Sequence, residues 1–218
     1  MKTWYRQYWA QTWYRNTFLV NQPHQIARST VAERDWNNIH DSGCNFVCLA
    51  MIIGIDPAML ASLLSEANFF AADKTLPARY LTGKRGSLVW DINEPGLNQA
   101  IHLQEFWHCA LRKRVSISVS LVHLVHSMDY PSGRKVVERA LKQHHHVVCG
   151  PCEHSHLVAG KKGGDYIIWD PDDSEKNVED TLKGRFTLND LYDDYPDEPI
   201  EFWIYKLNVT PTSGLRRF

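Results

Sequence analysis

Long apolar runs, an excess of charge of either sign, internal repeats and an even set of cysteines are all missing from this 218-residue chain. No stretch approaches the roughly 18 uninterrupted apolar residues of a membrane span, so stable membrane insertion is not expected. The N-terminus is aromatic but broken by Arg, Gln, Asn and Thr, and it lacks the apolar h-region of a signal peptide. The expectation is therefore a product that is cytoplasmic as synthesised. With 24 Lys and Arg against 25 Asp and Glu, the net charge of -1 gives no electrostatic footprint for nucleic acid. Five cysteines (Cys44, Cys48, Cys109, Cys149, Cys152) are an odd count in a chain large enough to do without staples, which fits a reducing compartment and a free thiol. With 44% hydrophobic residues the chain can bury one good core, so one main domain is the default.

The first segment is what stands out from this ordinary background. Trp4, Tyr5, Tyr8, Trp9 and Trp13 recur at roughly helical spacing among Lys2, Arg6 and Arg15, which predicts an aromatic, basic arm or amphipathic helix within 1–32. Such a helix either covers the core or docks to a partner, a glycan or a membrane surface. Residues 33–210 read as the main domain and 211–218 as a tail. Cys44 to Ile53 is an apolar helical run that Gly54 can cap, and Asp56-Pro57 opens a second helix, Ala58 to Asn68. Leu97 to Ile101 reads as a short helix, Val115 to Val122 as a half-exposed strand and Arg134 to Gln143 as a helix. His146 to Cys149, Ser155 to Ala159, Tyr166 to Trp169 and Phe202 to Leu207 read as strands, with a hairpin at Lys161-Lys162-Gly163-Gly164. The acidic residues between Asp170 and Glu201 read as solvated loops. Helices first and strands later predict an α+β fold with an antiparallel sheet.

The chemistry is concentrated in two places. Cys44 stands where the turn-like Asn37-Asn38-Ile39-His40-Asp41-Ser42-Gly43 becomes a helix, so its thiol meets the positive end of the helix dipole and unpaired N–H groups, both of which favour a thiolate. A thiol hydrolase also needs a base and a group that orients it. His154 and His156 stand at the start of one predicted strand and Asp170 at the end of the next, so a hairpin brings either histidine beside the aspartate. Cys48, one turn after Cys44, reads as a small buried hydrophobe. Cys149-Gly150-Pro151-Cys152 has the spacing of a thioredoxin-type motif, but a strand follows it where that motif needs a helix. Cys149, Cys152, His154 and His156 form an alternative zinc set, as ligands of a zinc-stabilised binding module.

Gly43-Cys44-Asn45-Phe46-Val47-Cys48-Leu49-Ala50-Met51 followed by Gly54-Ile55-Asp56-Pro57 resembles the nucleophile helix of papain-like cysteine peptidases, especially the bacterial leader-peptidase-like (C39-like) subgroup. His154-Ser155-His156-Leu157-Val158-Ala159-Gly160 and Asp165-Tyr166-Ile167-Ile168-Trp169-Asp170-Pro171 resemble the histidine strand and Asp-Pro ending of the same group, and Leu88-Val89-Trp90-Asp91 has a less specific likeness. The resemblance covers Trp36 to Asp173. It implies a papain-like fold and a Cys44-His154-Asp170 site. In that family the base lies six residues before a strand-ending glycine and sixteen before the orienting residue; here 160 − 154 = 6 and 170 − 154 = 16, whereas His156, the alternative base, gives 4 and 14. It also implies an oxyanion donor six residues before the cysteine, at 44 − 6 = 38, where Asn38 stands in place of the usual Gln. Asn37 is a spare candidate, and the pair otherwise reads as a plain turn.

The activity so implied is hydrolysis of an amide bond in a peptide, with a peptidoglycan stem peptide as the single favoured substrate. No cofactor and no resident metal are implied. A wall-cleaving enzyme of this kind would leave the cell by a specialised secretion system or by lysis. Its expected partners are the peptide or peptidoglycan substrate and a delivery or immunity protein. The alternative to an enzyme is the zinc-stabilised module or a catalytically inactive papain-like scaffold.

Overall fold

The computed structural model describes residues 2–5, 7–14, 39–66, 100–151, 154–172 and 175–211. The fold is α+β. In chain order the described elements are β1 (Lys2–Thr3), a 3-10 turn (Gln11–Tyr14), α1 (Ile39–Ser42), α2 (Cys44–Ile53), α3 (Pro57–Glu66), β2 (Ala100–His108), β3 (Lys113–Ser127), α4 (Tyr130–Lys142), β4 (His146–Gly150), β5 (His156–Lys162), β6 (Asp165–Trp169), α5 (Glu175–Leu182), α6 (Leu188–Asp194) and β7 (Ile200–Pro211). All strand pairings are antiparallel, in the order β1-β5-β4-β7-β3-β2, with β6 also pairing β5.

Alternation along the central strands sends side chains into two apolar layers. Val148, Leu157, Ile167, Trp169, Trp203 and Tyr205 pack with α2, α3 and the aromatic arm. Their neighbours Val147, Cys149, Val158, Ile168 and Phe202 pack with Val137 of α4 and with Leu188, Leu191 and Tyr192 of α6. The central strands are thus covered on both faces. Residues Asn45 through Ile53 of α2 are all buried, which is why this helix is apolar all round. Gly54 ends it in the left-handed region at φ 78, donating to the Ala50 carbonyl. Asp56 then caps α3, its Oδ1 accepting from the Ala58 N–H at 2.8 Å, with Pro57 at the first position.

Four expectations are corrected. Among its described residues the aromatic arm forms no α-helix: Lys2–Thr3 pairs with Gly160 and Lys161 of β5, and Gln11–Tyr14 winds as a 3-10 turn. Tyr8, Trp9 and Ala10 are nevertheless buried in the same layer as α2, because burial of the rings, and not a helical face, sets their spacing. Ala100 and Ile101 begin strand β2, which the sequence pattern hid because its pairing with β3 slips between Leu103 and Phe106 and breaks the alternation. A second slip between Leu121 and His123 explains why β3 reads as ending near Val122 yet runs to Ser127. The acidic stretch is not loop throughout: it holds α5 and α6, and α6 opens with a reciprocal cap between Thr187 and Asp190. The predicted connector 21–32, Leu88-Val89-Trp90-Asp91 and the tail residues 212–218 lie outside the described residues. Among the described residues no single helix is long and apolar enough to cross a membrane.

Candidate active site

Cys44 is the first residue of α2, with Gly43 as its N-cap. The preceding short helix α1 approaches so closely that a Cβ at Gly43 would lie 2.3 Å from the Ile39 carbonyl oxygen, so the glycine is required for the cysteine to start the helix where it does. Cys44 is partly exposed while Asn45 beside it is 1% exposed, with the Tyr205 hydroxyl 3.4 Å from its Oδ1.

The β5–β6 pairing delivers the other two groups. Leu157 sits opposite Trp169, which puts the segment just before β5 beside the residue just after β6. These are His154 and Asp170, and His154 Nε2 lies 2.7 Å from Asp170 Oδ1. His154 is in the loop before the strand, which itself starts at His156. Its N–H donates to the Pro151 carbonyl at 3.3 Å. That loop folds over Gly150 at such close range that a Cβ there would lie 1.9 Å from the His154 carbonyl oxygen. Gly150 thus ends β4 beneath the His154 main chain; Cys149, the residue before it in the strand, is fully buried in the layer against α4 and α6, and Cys152 lies outside the described residues. Asp170 is held further by the Asp172 N–H, which donates to Oδ1 at 2.8 Å, and by the Tyr8 hydroxyl, which donates to its main-chain carbonyl at 2.5 Å.

Electrostatics tie the three together. Burial raises the Cys44 thiol, but hydrogen bonding to His154, the charge of that ring and bonds to Ser155 outweigh it and hold the thiol below its ordinary value. Burial likewise opposes charging of His154, yet the bonds to Asp170 and then to Cys44 carry it up to about 10. Burial raises Asp170, and the bond from His154 with the nearby imidazoles brings it below the usual carboxylate range. With Nε2 committed to Asp170, Nδ1 is the ring nitrogen left for the thiol. The arrangement favours a thiolate–imidazolium pair steadied by a carboxylate.

His156 occupies a different position. It is 2% exposed, its Nε2 is 3.8 Å from Asp170 Oδ2, and its ring stands edge-on to His154 at 4.4 Å between centroids. Burial, then the charge of His154, pushes it down to about 3, so it is neutral at ordinary pH. Of the two histidines the sequence left open, it is His154 that touches both Cys44 and Asp170. Cys48 is fully buried and its Sγ lies 3.8 Å from the Ser155 carbonyl; Cys44, Cys48, Cys109 and Cys149 are all free thiols. Asn38 and Asn37 lie outside the described residues. Among the described residues, one group of three or more metal-ligating side chains converges, His154 with His156 and Asp170, and Cys149 is not in it. Tyr8 and Gly150 were missed as parts of the site; an aromatic arm and a CxxC gave no sign that one clamps Asp170 and the other clears a path for His154.

A cavity of about 260 Å³, lined by Trp4, Trp9, Ile53, Gly54, His108 and Leu111, lies at the opposite end of α2. Its lining on α2 begins at Met51, seven residues or about 10 Å of helix from Cys44, so it is no part of the Cys44 cluster. No protein-family model, no curated protein and no solved structure matches this chain.

Proposed function

We propose that this protein is a papain-like cysteine hydrolase that cleaves an amide bond in a peptide. The observation that carries the reading is the hydrogen-bonded series Cys44–His154–Asp170, assembled from a helix start, a pre-strand loop and a strand end. In the proposed cycle the Cys44 thiolate attacks the scissile carbonyl, and His154 gives its proton to the leaving amine as the tetrahedral adduct collapses to a thioester. Water then adds, His154 takes its proton, and the carboxylic acid leaves as the thiol is restored. Asp170 keeps the imidazole turned toward sulfur. The Cys44 N–H and, by the resemblance alone, the Asn38 amide serve as oxyanion donors.

The substrate proposed is a peptidoglycan stem peptide, with release by a specialised secretion system or by lysis and restraint by an immunity protein; this part rests on the resemblance and not on the chemistry of the site. Mass spectrometry of peptidoglycan fragments and of generic peptides, incubated with wild type and with Cys44→Ala, tests it. Cleavage products present with wild type and missing with Cys44→Ala are expected. If wild type yields no Cys44-dependent product from either class, weight moves to a papain-like binding module.

A further inference from the structure

We propose that His154, His156 and Asp170 form a zinc site whose occupation is incompatible with proton transfer by His154, so that a divalent metal switches the site off. The inference rests on the hydrolase reading for its consequence but not for its binding chemistry. Three observations carry it. One ligand atom from each of the three side chains lies within 4.8 Å of the others. Both imidazoles turn Nε2 toward the same carboxylate, at 2.7 Å from Oδ1 for His154 and 3.8 Å from Oδ2 for His156. Finally, His156 is a histidine buried to 2% exposure that the hydrolase cycle does not use.

Two imidazoles and a carboxylate suit zinc, which binds His nitrogen and Asp oxygen at about 2.0–2.2 Å and keeps a fourth position for water when three protein ligands are present. Tetrahedral ligands at that radius stand about 3.3 Å apart, so atoms already within 4.8 Å need side-chain shifts of no more than about 1.5 Å. The His154 side chain is 22% exposed while the other two are more deeply buried, which gives the ion an approach past His154.

The consequence follows from the ring's two nitrogens. Zinc at Nε2 takes the lone pair there and displaces its proton to solvent. The ring keeps one N–H, at Nδ1 toward Cys44. It then has no free lone pair with which to accept a proton, and it can donate only by becoming an imidazolate. The Cys44 side loses its acid and base although no ligand comes from the thiol itself.

Zinc binding to purified, metal-stripped protein, measured by competition with a chromophoric chelator, tests the site directly. Wild type and Cys44→Ala are expected to bind one ion with similar affinity, His156→Gln to bind at least about tenfold more weakly, and Cys149→Ser to bind as wild type does. A wild type that takes up no zinc would overturn the proposal, as would binding that is lost in Cys44→Ala or Cys149→Ser but kept in His156→Gln. With any Cys44-dependent substrate, zinc is expected to inhibit wild type reversibly, EDTA to restore it, and His156→Gln to need more metal. Undiminished turnover by the zinc-loaded protein would refute the switch. If no Cys44-dependent substrate is found, the hydrolase reading fails while the chelator competition still decides the metal site.

Discussion

Replacing His154 by Ala should slow alkylation of Cys44 near neutral pH and leave it almost untouched in alkali. In the wild type the thiol is held below 9.0 against burial mainly by His154, whose ring stays cationic up to about 10. Removing the ring leaves burial opposed only by the smaller contribution of Ser155, so the thiol is no longer held below its ordinary value. An unassisted thiol is only a few per cent thiolate at pH 7, so the variant should be alkylated more slowly than wild type there. The gap should narrow as rising pH ionises the variant's thiol without help from the ring. The sign is set by both partners: the thiolate is lost as pH falls through the lowered Cys44 value, and the imidazolium is lost as pH rises through about 10. Iodoacetamide labelling followed by peptide mass spectrometry, with the exposed Cys109 as internal reference, measures it. Equal rates at pH 7, or a gap that does not change with pH, would refute the ion-pair reasoning.

Four further outcomes are expected. Gly150→Ala forces a Cβ against the His154 carbonyl, which should cost about 1–3 kcal/mol in urea unfolding and reduce the selective labelling of Cys44. His146, hydrogen-bonded to the Tyr5 hydroxyl, is pushed down to about 4 by burial and then by His145, so its contribution to stability is present above pH 6.5 and lost as pH falls toward 4. The slope is at most about 1.4 kcal/mol per pH unit, and His146→Gln should flatten the acid side of a Tm-against-pH curve. His144 sits at φ 58 just past α4, where its N–H and that of His145 return to Leu141 and Ala140; His144→Gly should therefore raise stability by about 0.5–1 kcal/mol in thermal melts. Tyr8→Phe keeps the ring against Trp169 but loses the bond to the Asp170 carbonyl, which should cost about 0.5–1.5 kcal/mol and lower Cys44 reactivity at pH 7.

Much of the fold was legible where one local rule acted alone. Gly54, Asp56 and Pro57 marked the break between α2 and α3 because a left-handed cap, an acceptor for free N–H groups and a fixed φ each have a residue type of their own. The strands β4 to β6 read correctly because both faces of the sheet are buried there and the apolar runs are short. Strand β2 and the end of β3 did not read, because a register slip moves the inward side chains by one position and cancels the period of two. The aromatic arm misled for another reason: rings separated by three and four residues satisfy a helical template, yet here the backbone is held extended by β5 at Lys2–Thr3.

The site was legible for a reason separate from either period. An antiparallel pair converts a sequence separation into a fixed juxtaposition: once Leu157 faces Trp169, the residue three before the first and the residue after the second meet at the same end of the hairpin. His154 and Asp170 are those residues. His156, two positions nearer, falls within the paired strand, where the neutral and buried ring faces the second carboxylate oxygen and not the thiol. What spacing could not supply is the support around them. Tyr8 comes from 162 positions away to hold the Asp170 carbonyl, and Gly150 matters only because the chain doubles back over it. Both act on main-chain position. A variant at either should therefore shift the pH dependence of Cys44 labelling through the placement of Asp170 or His154, while leaving the residues that carry the proposed chemistry unchanged.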